Sequence, residues 1–159
     1  MSTIIKDILE KESGVVEIVK NIYIAPISII FKKDKICLVD VIVNCTKDKY
    51  TSDPDVDIST KTYYNVPIDD TGRQENIDNF VTHTKDILPD VLNDYKNGKI
   101  ILVHCSQGVQ RSAAFIVIML VKLFDISIER AVEIVLEKKH NCFFHGRQIN
   151  FKESLLRLI

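Results

Sequence analysis

A cysteine and an arginine six positions apart stand in the segment His104-Cys105-Ser106-Gln107-Gly108-Val109-Gln110-Arg111-Ser112. An apolar, strand-like stretch (99–103) precedes this segment, and an apolar, helix-like stretch (113–121) follows it. Cys105 is therefore expected on a tight loop at the start of a helix, where backbone N–H groups and the helix dipole favour anions. The same environment favours the nucleophilic thiolate, and the planar guanidinium of Arg111 fits two oxygens of a phosphate. The spacing predicts phosphoryl transfer to sulfur.

The neighbours of the cysteine strengthen this prediction. Gly108 suits a loop that needs a positive φ or a close approach of backbone to ligand. A buried cysteine at a strand end would explain Cys105 but not the residues around it. His104 is adjacent to Cys105 on a strand, so their side chains point to opposite faces, and His104 is expected to support the loop through hydrogen bonds. The residues expected to bind phosphate are Ser106, Gln107, Gly108, Val109, Gln110 and Arg111.

Attack by a thiolate on a phosphate ester also needs an acid that protonates the departing oxygen. Asp69 and Asp70 follow the strand-like Val66-Pro67-Ile68, and Gly72 gives their loop some freedom to close over a substrate. A plain turn made by Asp-Asp-Thr-Gly explains the same residues. The residue types alone leave these interpretations open.

Length, composition and charge limit the classes of protein to which the chain can belong. The chain has 159 residues, 46% of them hydrophobic, and a formal net charge of −1, which fits one globular domain without a nucleic-acid partner. The longest apolar run is too short to span a bilayer, and charged residues fill the N-terminus where a signal peptide would be apolar. Four widely spaced cysteines form neither a disulfide framework nor a zinc pattern, which favours the reducing cytoplasm and no membrane partner.

Hydrophobic periodicity predicts alternating strands and helices, and hence an α/β fold. The predicted strands cover 21–30, 35–45, 62–68 and 99–103, and the predicted helices cover 3–11, 77–95, 113–124, 127–139 and 151–159. We expect Pro89 to kink or divide the helix at 77–95. We expect Ser127 to cap the helix at 127–139. The cysteine loop would then lie at the carboxyl end of a central strand, where open α/β sheets bind ligands.

These segments together resemble the cysteine-dependent dual-specificity protein phosphatases, with residues 21–159 as the catalytic domain and 1–20 as an N-terminal helical arm. The resemblance implies a single-domain α/β fold whose central, mostly parallel sheet is flanked by helices. In that family an Ile/Val-Pro-x-x-Asp segment carries the general acid, which implies Asp70, with Asp69 as runner-up. Ser112 matches the hydroxyl that steadies the thiolate and helps to hydrolyse the phosphocysteine. The implied catalytic set is Cys105, Arg111, Asp70 and Ser112, with no metal or other cofactor.

Residues 44–51, Asn-Cys-Thr-Lys-Asp-Lys-Tyr-Thr, resemble the poxvirus-type members of this family. That branch implies a viral protein of the host cytoplasm or the virion, acting on viral and host phosphoproteins. Dimeric members of the family use N-terminal arms, so residues 1–20 could mediate a homodimer or pack on their own domain. The sequence departs from the family in two places. Gln110 stands where a serine is common, and Arg147-Gln148-Ile149-Asn150-Phe151 replaces a Pro-Asn-x-Gly-Phe segment.

Other functions are built on similar loops. An RNA 5′-phosphatase usually carries a second histidine where Gln107 stands, and a phosphoinositide phosphatase usually has basic residues inside the loop. A catalytically weak phosphoprotein-binding module would typically have lost Cys105. A sulfur-transfer or arsenate-reducing enzyme would lack the acid segment. The sequence favours hydrolysis of phosphotyrosine and phosphoserine/threonine in proteins, with the RNA 5′-phosphatase and the binding module as alternatives.

Overall fold

Five short strands form one mixed sheet in the computed structural model, which describes residues 2–159. The strands are β1 (Val16–Val19), β2 (Ile22–Pro26), β3 (Val41–Asn44), β4 (Thr62–Asn65) and β5 (Ile101–Cys105). They lie in the order β1-β2-β5-β3-β4. Strands β2, β5, β3 and β4 run parallel, and β1 pairs antiparallel with β2 at one edge. This arrangement confirms the predicted single-domain α/β fold with a mostly parallel sheet.

Helices cover both faces of the sheet. Within residues 2–159 they are α1 (Ser2–Leu9), α2 (Lys33–Ile36), α3 (Gln74–Lys96), α4 (Arg111–Phe124), α5 (Ile128–Lys138), α6 (Cys142–Gly146) and α7 (Lys152–Leu158), with a 3-10 helix at Ile27–Phe31. Because side chains alternate along a strand, Ile101, Val103 and Cys105 of β5 join the larger core with α4, whereas Leu102 joins a second core on the opposite face. The residues Ser112–Val121 of α4 are all buried, which makes α4 the central helix behind the site.

Two local predictions were wrong, and one of the two alternatives predicted at Pro89, a divided helix, is excluded. The apolar residues of Ile27–Phe31 form a 3-10 helix rather than the end of a strand, and residues 35–45 begin in the short helix α2 before β3. Periodicity cannot separate short buried helices from strands, because both are simply apolar. The helix α3 also continues through Pro89 without a break. The edge strand β1 was not predicted, whereas the Ser127 cap is confirmed, since its Oγ accepts a hydrogen bond from Arg130 N at 3.1 Å.

The N-terminal helix α1 packs on the sheet. Leu9 is fully buried in the second core together with Val15, Tyr23 and Ile29. The Ile4 side chain of α1 is 60% exposed on the outer surface. Within the described part of the chain, no helix combines the length and the apolar character needed to cross a membrane.

Candidate active site

The cysteine loop joins the end of the central strand to the start of the buried helix, as predicted. Strand β5 ends at Cys105, and α4 begins at Arg111. Four carbonyl oxygens of the loop accept hydrogen bonds from donors outside it. Ser106 O accepts from Ile27 N, and Gly108 O accepts from Lys139 Nζ. Val109 O accepts from Phe143 N, and Gln110 O accepts from Ala114 N. Because a trans peptide places its N–H opposite its C=O, the N–H groups that follow face the inside of the loop. The loop is therefore a cradle for an anion.

The thiol of Cys105 lies at the bottom of this cradle and is 2% exposed. Its Sγ is 3.2 Å from Ser112 Oγ, and Gly108 N donates a hydrogen bond to it, also at 3.2 Å. Burial on its own raises the pKa of the thiol. Hydrogen bonds from Ser112 and Gly108 and the positive charge of Arg111 outweigh burial, so the pKa of Cys105 is lowered below its ordinary value. The sequence-predicted partners Ser112 and Arg111 thus both favour the thiolate.

A buried lysine at the end of α5 supports the cradle from behind. Lys139 Nζ donates to Gly108 O and to Gly14 O, each at 2.8 Å. Gly108 has φ of +75°, and a Cβ there would lie 2.8 Å from the backbone of Ala25. Lys139 therefore holds the peptide between Gly108 and Val109 in the orientation that directs the Val109 N–H into the cradle. No larger residue fits at Gly108.

Arg111 connects the cradle to the acid segment. Its Nη1 donates to Ile68 O at 2.9 Å, and its Nη2 donates to Ser106 Oγ at 3.0 Å. Its Nε is buried without a hydrogen-bond partner in residues 2–159. A guanidinium can bind an oxyanion through two N–H groups on one edge, so Arg111 has the donor set that a phosphate requires.

The two aspartates of the acid segment have different surroundings. Asp70 lines a cavity of about 240 Å³ together with Cys105, Ser106, Gln107, Val109, Gln110 and Arg111. The Asp69 carboxylate instead pairs with Lys47 Nζ at 3.0 Å, and Asp69 N donates to Asn76 Oδ1 at 3.0 Å. Of the two aspartates, only Asp70 lines the cavity that Cys105 also lines. Asn76, which is buried in the first turn of α3, was not predicted as a support of this loop.

Strand alternation predicts His104 on the sheet face opposite Cys105, as a support of the loop. It is fully buried on the sheet face opposite Cys105, where its Nε2 lies 2.7 Å from Tyr50 Oη and its Nδ1 lies 3.4 Å from Cys105 O. Because the carbonyl can only accept, Nδ1 carries the proton and Nε2 accepts from the tyrosine hydroxyl. Burial lowers the pKa of His104 to about 4, so the ring is neutral at pH 7.

We expect this buried histidine to make folding stability depend on pH. Between its unfolded pKa of 6.5 and its folded pKa of about 4, the unfolded chain binds a proton that the folded chain does not. The stability due to His104 is complete above pH 6.5 and is lost as the pH falls towards 4, by on the order of 3 kcal/mol. Urea unfolding of the wild type and of His104→Gln at pH 7 and pH 4.5 measures this loss.

The wild type should lose more stability on acidification than His104→Gln, and the exposed residue His140 provides the matched control His140→Gln. Equal losses in the wild type and in His104→Gln would contradict the neutral, buried state of His104. Among residues 2–159, no three His, Cys, Asp or Glu side chains are grouped as a metal site requires.

Comparisons with known proteins point to one family. The profile of the dual specificity phosphatase catalytic domain matches residues 22–158. The fold is similar to that of human DUSP28, with 15% identity, a TM-score of 0.75 and coverage of 92% of this chain and 93% of that one. It is also similar to a mouse putative dual specificity phosphatase complexed with zinc tungstate, with 17% identity, a TM-score of 0.76 and coverage of 92% and 87%.

A third similar structure is the human tyrosine phosphatase-like serine/threonine/tyrosine-interacting protein. Its identity is 20%, its TM-score is 0.66, and the alignment covers 90% of this chain and 93% of that one. At these identities the three likenesses show a common fold. No curated protein matches the sequence significantly.

Proposed function

The chain belongs to the family of dual specificity phosphatase catalytic domains, and on that premise we propose that it hydrolyses phosphotyrosine and phosphoserine/threonine in proteins through a phosphocysteine intermediate. One observation carries this proposal. Cys105, whose thiol has a lowered pKa, and Asp70 line the same cavity, which lies at the anion cradle. A nucleophile and an acid on opposite sides of a bound phosphate are what this reaction needs.

The first step forms the sulfur–phosphorus bond. The Cys105 thiolate attacks phosphorus while Arg111 and the inward N–H groups of residues 106–111 hold the three non-bridging oxygens. The bond from phosphorus to the ester oxygen breaks, and the oxygen leaves with the proton of Asp70. The products are the dephosphorylated side chain, a phosphocysteine and the Asp70 carboxylate.

The second step restores the enzyme. The Asp70 carboxylate removes a proton from a water molecule, whose oxygen attacks phosphorus, and the bond from sulfur to phosphorus breaks. Ser112 Oγ, at 3.2 Å from Sγ, donates to the thiolate as it leaves. Inorganic phosphate departs, and Asp70 is again protonated. The lowered pKa of Cys105 favours both the attack in the first step and the departure in the second.

The side chains of the cradle favour a protein substrate. Ser106, Gln107, Val109 and Gln110 line the cavity and carry no charge, so one cation, Arg111, serves one phosphate group. A phosphoinositide or a 5′-triphosphate presents several phosphates and would require further basic side chains at these positions. An RNA 5′-phosphatase with the same Cys-Arg pair remains the alternative function, and an experiment must distinguish it from a protein phosphatase.

We expect a substrate panel to separate these classes. The purified chain, with EDTA present, should release phosphate from phosphotyrosine and phosphothreonine peptides, and at least about 100-fold more slowly from RNA 5′-triphosphate and from a phosphoinositide, because one cation binds one phosphate. Malachite-green detection of phosphate measures all four substrates. Activity restricted to RNA would replace the substrate class, and binding without turnover of any phosphopeptide would support the phosphoprotein-binding module.

We also propose, on the sequence resemblance of residues 44–51, that the chain is a poxvirus-type enzyme of the host cytoplasm or the virion. Viral and host phosphoproteins would then be its substrates. A homodimer through residues 1–20 belongs to the same proposal, and the exposed Ile4 of α1 supports it. Sedimentation of the full chain and of Ile4→Lys measures the oligomeric state, and an unchanged monomer in both would contradict the homodimer.

A further inference from the structure

The two positions at which the sequence departs from the family pattern lie side by side in the structure. Gln110, which is buried in the cradle, donates through Nε2 to Gln148 O at 2.9 Å, and its Oε1 accepts from Asn150 N at 3.2 Å. Both polar atoms of one buried side chain therefore bind the backbone of residues 148–150. The phosphate cradle thus fixes the position of this segment.

The segment in turn contacts the acid loop. Asn150 Nδ2 donates to Asp70 Oδ1 at 2.6 Å, and Asn150 Oδ1 accepts from Gln148 Nε2 at 2.8 Å. The bond from Gln148 determines which end of the Asn150 amide faces Asp70: the acceptor oxygen is engaged, so the donor nitrogen faces the carboxyl group. A continuous set of hydrogen bonds therefore runs from Gln110 of the cradle to Asp70.

We propose that Asn150 is a positioning residue for the general acid, holding Asp70 over the cavity through a tether anchored at Gln110. This inference rests on the proposed function, in which Asp70 donates a proton in the first step and accepts one in the second. The amide is a donor in both steps: Oδ1 accepts from it whether the carboxyl group is neutral or ionised, which leaves Oδ2 to carry the exchanged proton.

The position of Asp70 explains why a tether is useful. Asp70 is exposed on a loop that ends in Gly72, whose φ is +72° and whose surroundings leave space. Arg111 and Asn76 bind the backbone of neighbouring residues, at Ile68 O and Asp69 N. For the Asp70 carboxyl group itself, Asn150 is the hydrogen-bond partner in residues 2–159. Loss of that bond would leave the acid free to turn towards solvent.

The test compares aryl phosphates whose leaving groups differ in basicity. In Asn150→Ala, kcat/KM for phenyl phosphate, a poor leaving group, should fall about 10-fold, the effect of one hydrogen bond to a carboxyl group. The rate for p-nitrophenyl phosphate, whose leaving group needs little protonation, should change much less. Asn150→Asp, which removes the donor and adds a like charge, should fall at least as far. Asn93→Ala on the exposed surface of α3 is the matched control and should behave as the wild type.

A double variant separates positioning from a general structural effect. In the Asp70→Asn background, Asn150→Ala should cause no further loss with phenyl phosphate, because the acid is already absent. The rate at which iodoacetate alkylates Cys105 should be the same in Asn150→Ala as in the wild type. Equal losses for both aryl phosphates, or additive losses in the double variant, would overturn the tether. If Asp70→Asn itself leaves the dependence on leaving group unchanged, the acid assignment in the proposed function fails, and the tether fails with it.

Discussion

Replacing Cys105 by serine is expected to lower kcat for every phosphomonoester by about 10⁴-fold or more. A serine hydroxyl at this position would receive the same hydrogen bonds from Gly108 and Ser112, but an alcohol ionises far less readily than a thiol. The cradle itself would remain, because its N–H groups are oriented by carbonyl contacts that do not involve the sulfur. Steady-state rates with p-nitrophenyl phosphate and a phosphotyrosine peptide measure the loss.

Two controls make this result specific. Cys37→Ser changes an exposed cysteine far from the cradle in sequence and should leave kcat unchanged. Inorganic phosphate should still bind to Cys105→Ser, as a rise in melting temperature shows, since the donors that hold it are backbone groups and Arg111. More than a tenth of the wild-type activity in Cys105→Ser would contradict the nucleophilic role.

Replacing Asp70 by asparagine is expected to lower kcat for a phosphotyrosine peptide by about 10²- to 10⁴-fold, the usual contribution of a general acid. Asparagine has nearly the same shape but cannot donate the proton that the tyrosine oxygen needs. The loss in kcat/KM, which reports formation of the phosphocysteine, should be smaller for p-nitrophenyl phosphate, because p-nitrophenolate leaves without protonation. Initial rates with both substrates provide the comparison.

Asp69→Asn is the matched control for this prediction. The Asp69 carboxylate pairs with Lys47 and is not among the groups that line the cavity, so its replacement should change kcat less than threefold, the effect expected of an exposed ion pair. A larger loss in Asp69→Asn than in Asp70→Asn would transfer the acid role to Asp69. The contact from Arg111 Nη1 to Ile68 O involves neither carboxylate, so both variants should keep it.

The fold and the chemistry of the loop could be predicted from the sequence because both are local. Strand 101–105, the loop and the helix that follows are contiguous, and hydrophobic periodicity with one glycine is sufficient to predict their geometry. The choice of Asp70 as the general acid needed more information than the residue types, because these also fit a plain turn. The family resemblance distinguished Asp70 from Asp69. The supporting position of His104 followed from strand alternation.

The supports of the loop that come from distant segments could not be predicted. Lys139 lies at the end of a helix, where a cation is expected on the surface, yet its Nζ is buried under Gly108. Tyr50 lies in a long loop, with nothing in its sequence to indicate a contact with His104. Gln110 was predicted to bind phosphate and, like Asn150, was part of a departure from the family, but the connection of both residues to Asp70 depends on side-chain directions across 80 residues. Hydrophobic periodicity does not indicate which side chains of distant segments form hydrogen bonds with each other.

A phosphocysteine at residue 105 is the central claim, and trapping it tests that claim most directly. Asp70→Asn, mixed with p-nitrophenyl phosphate and quenched in acid within milliseconds, should accumulate the intermediate, because formation needs little acid whereas hydrolysis needs the Asp70 carboxylate as base. Mass spectrometry of the digested protein should find one phosphoryl group on the peptide that contains Cys105, and none in the Cys105→Ser, Asp70→Asn double variant. Release of p-nitrophenol in the first turnover with no phosphoryl group on Cys105 would contradict the account.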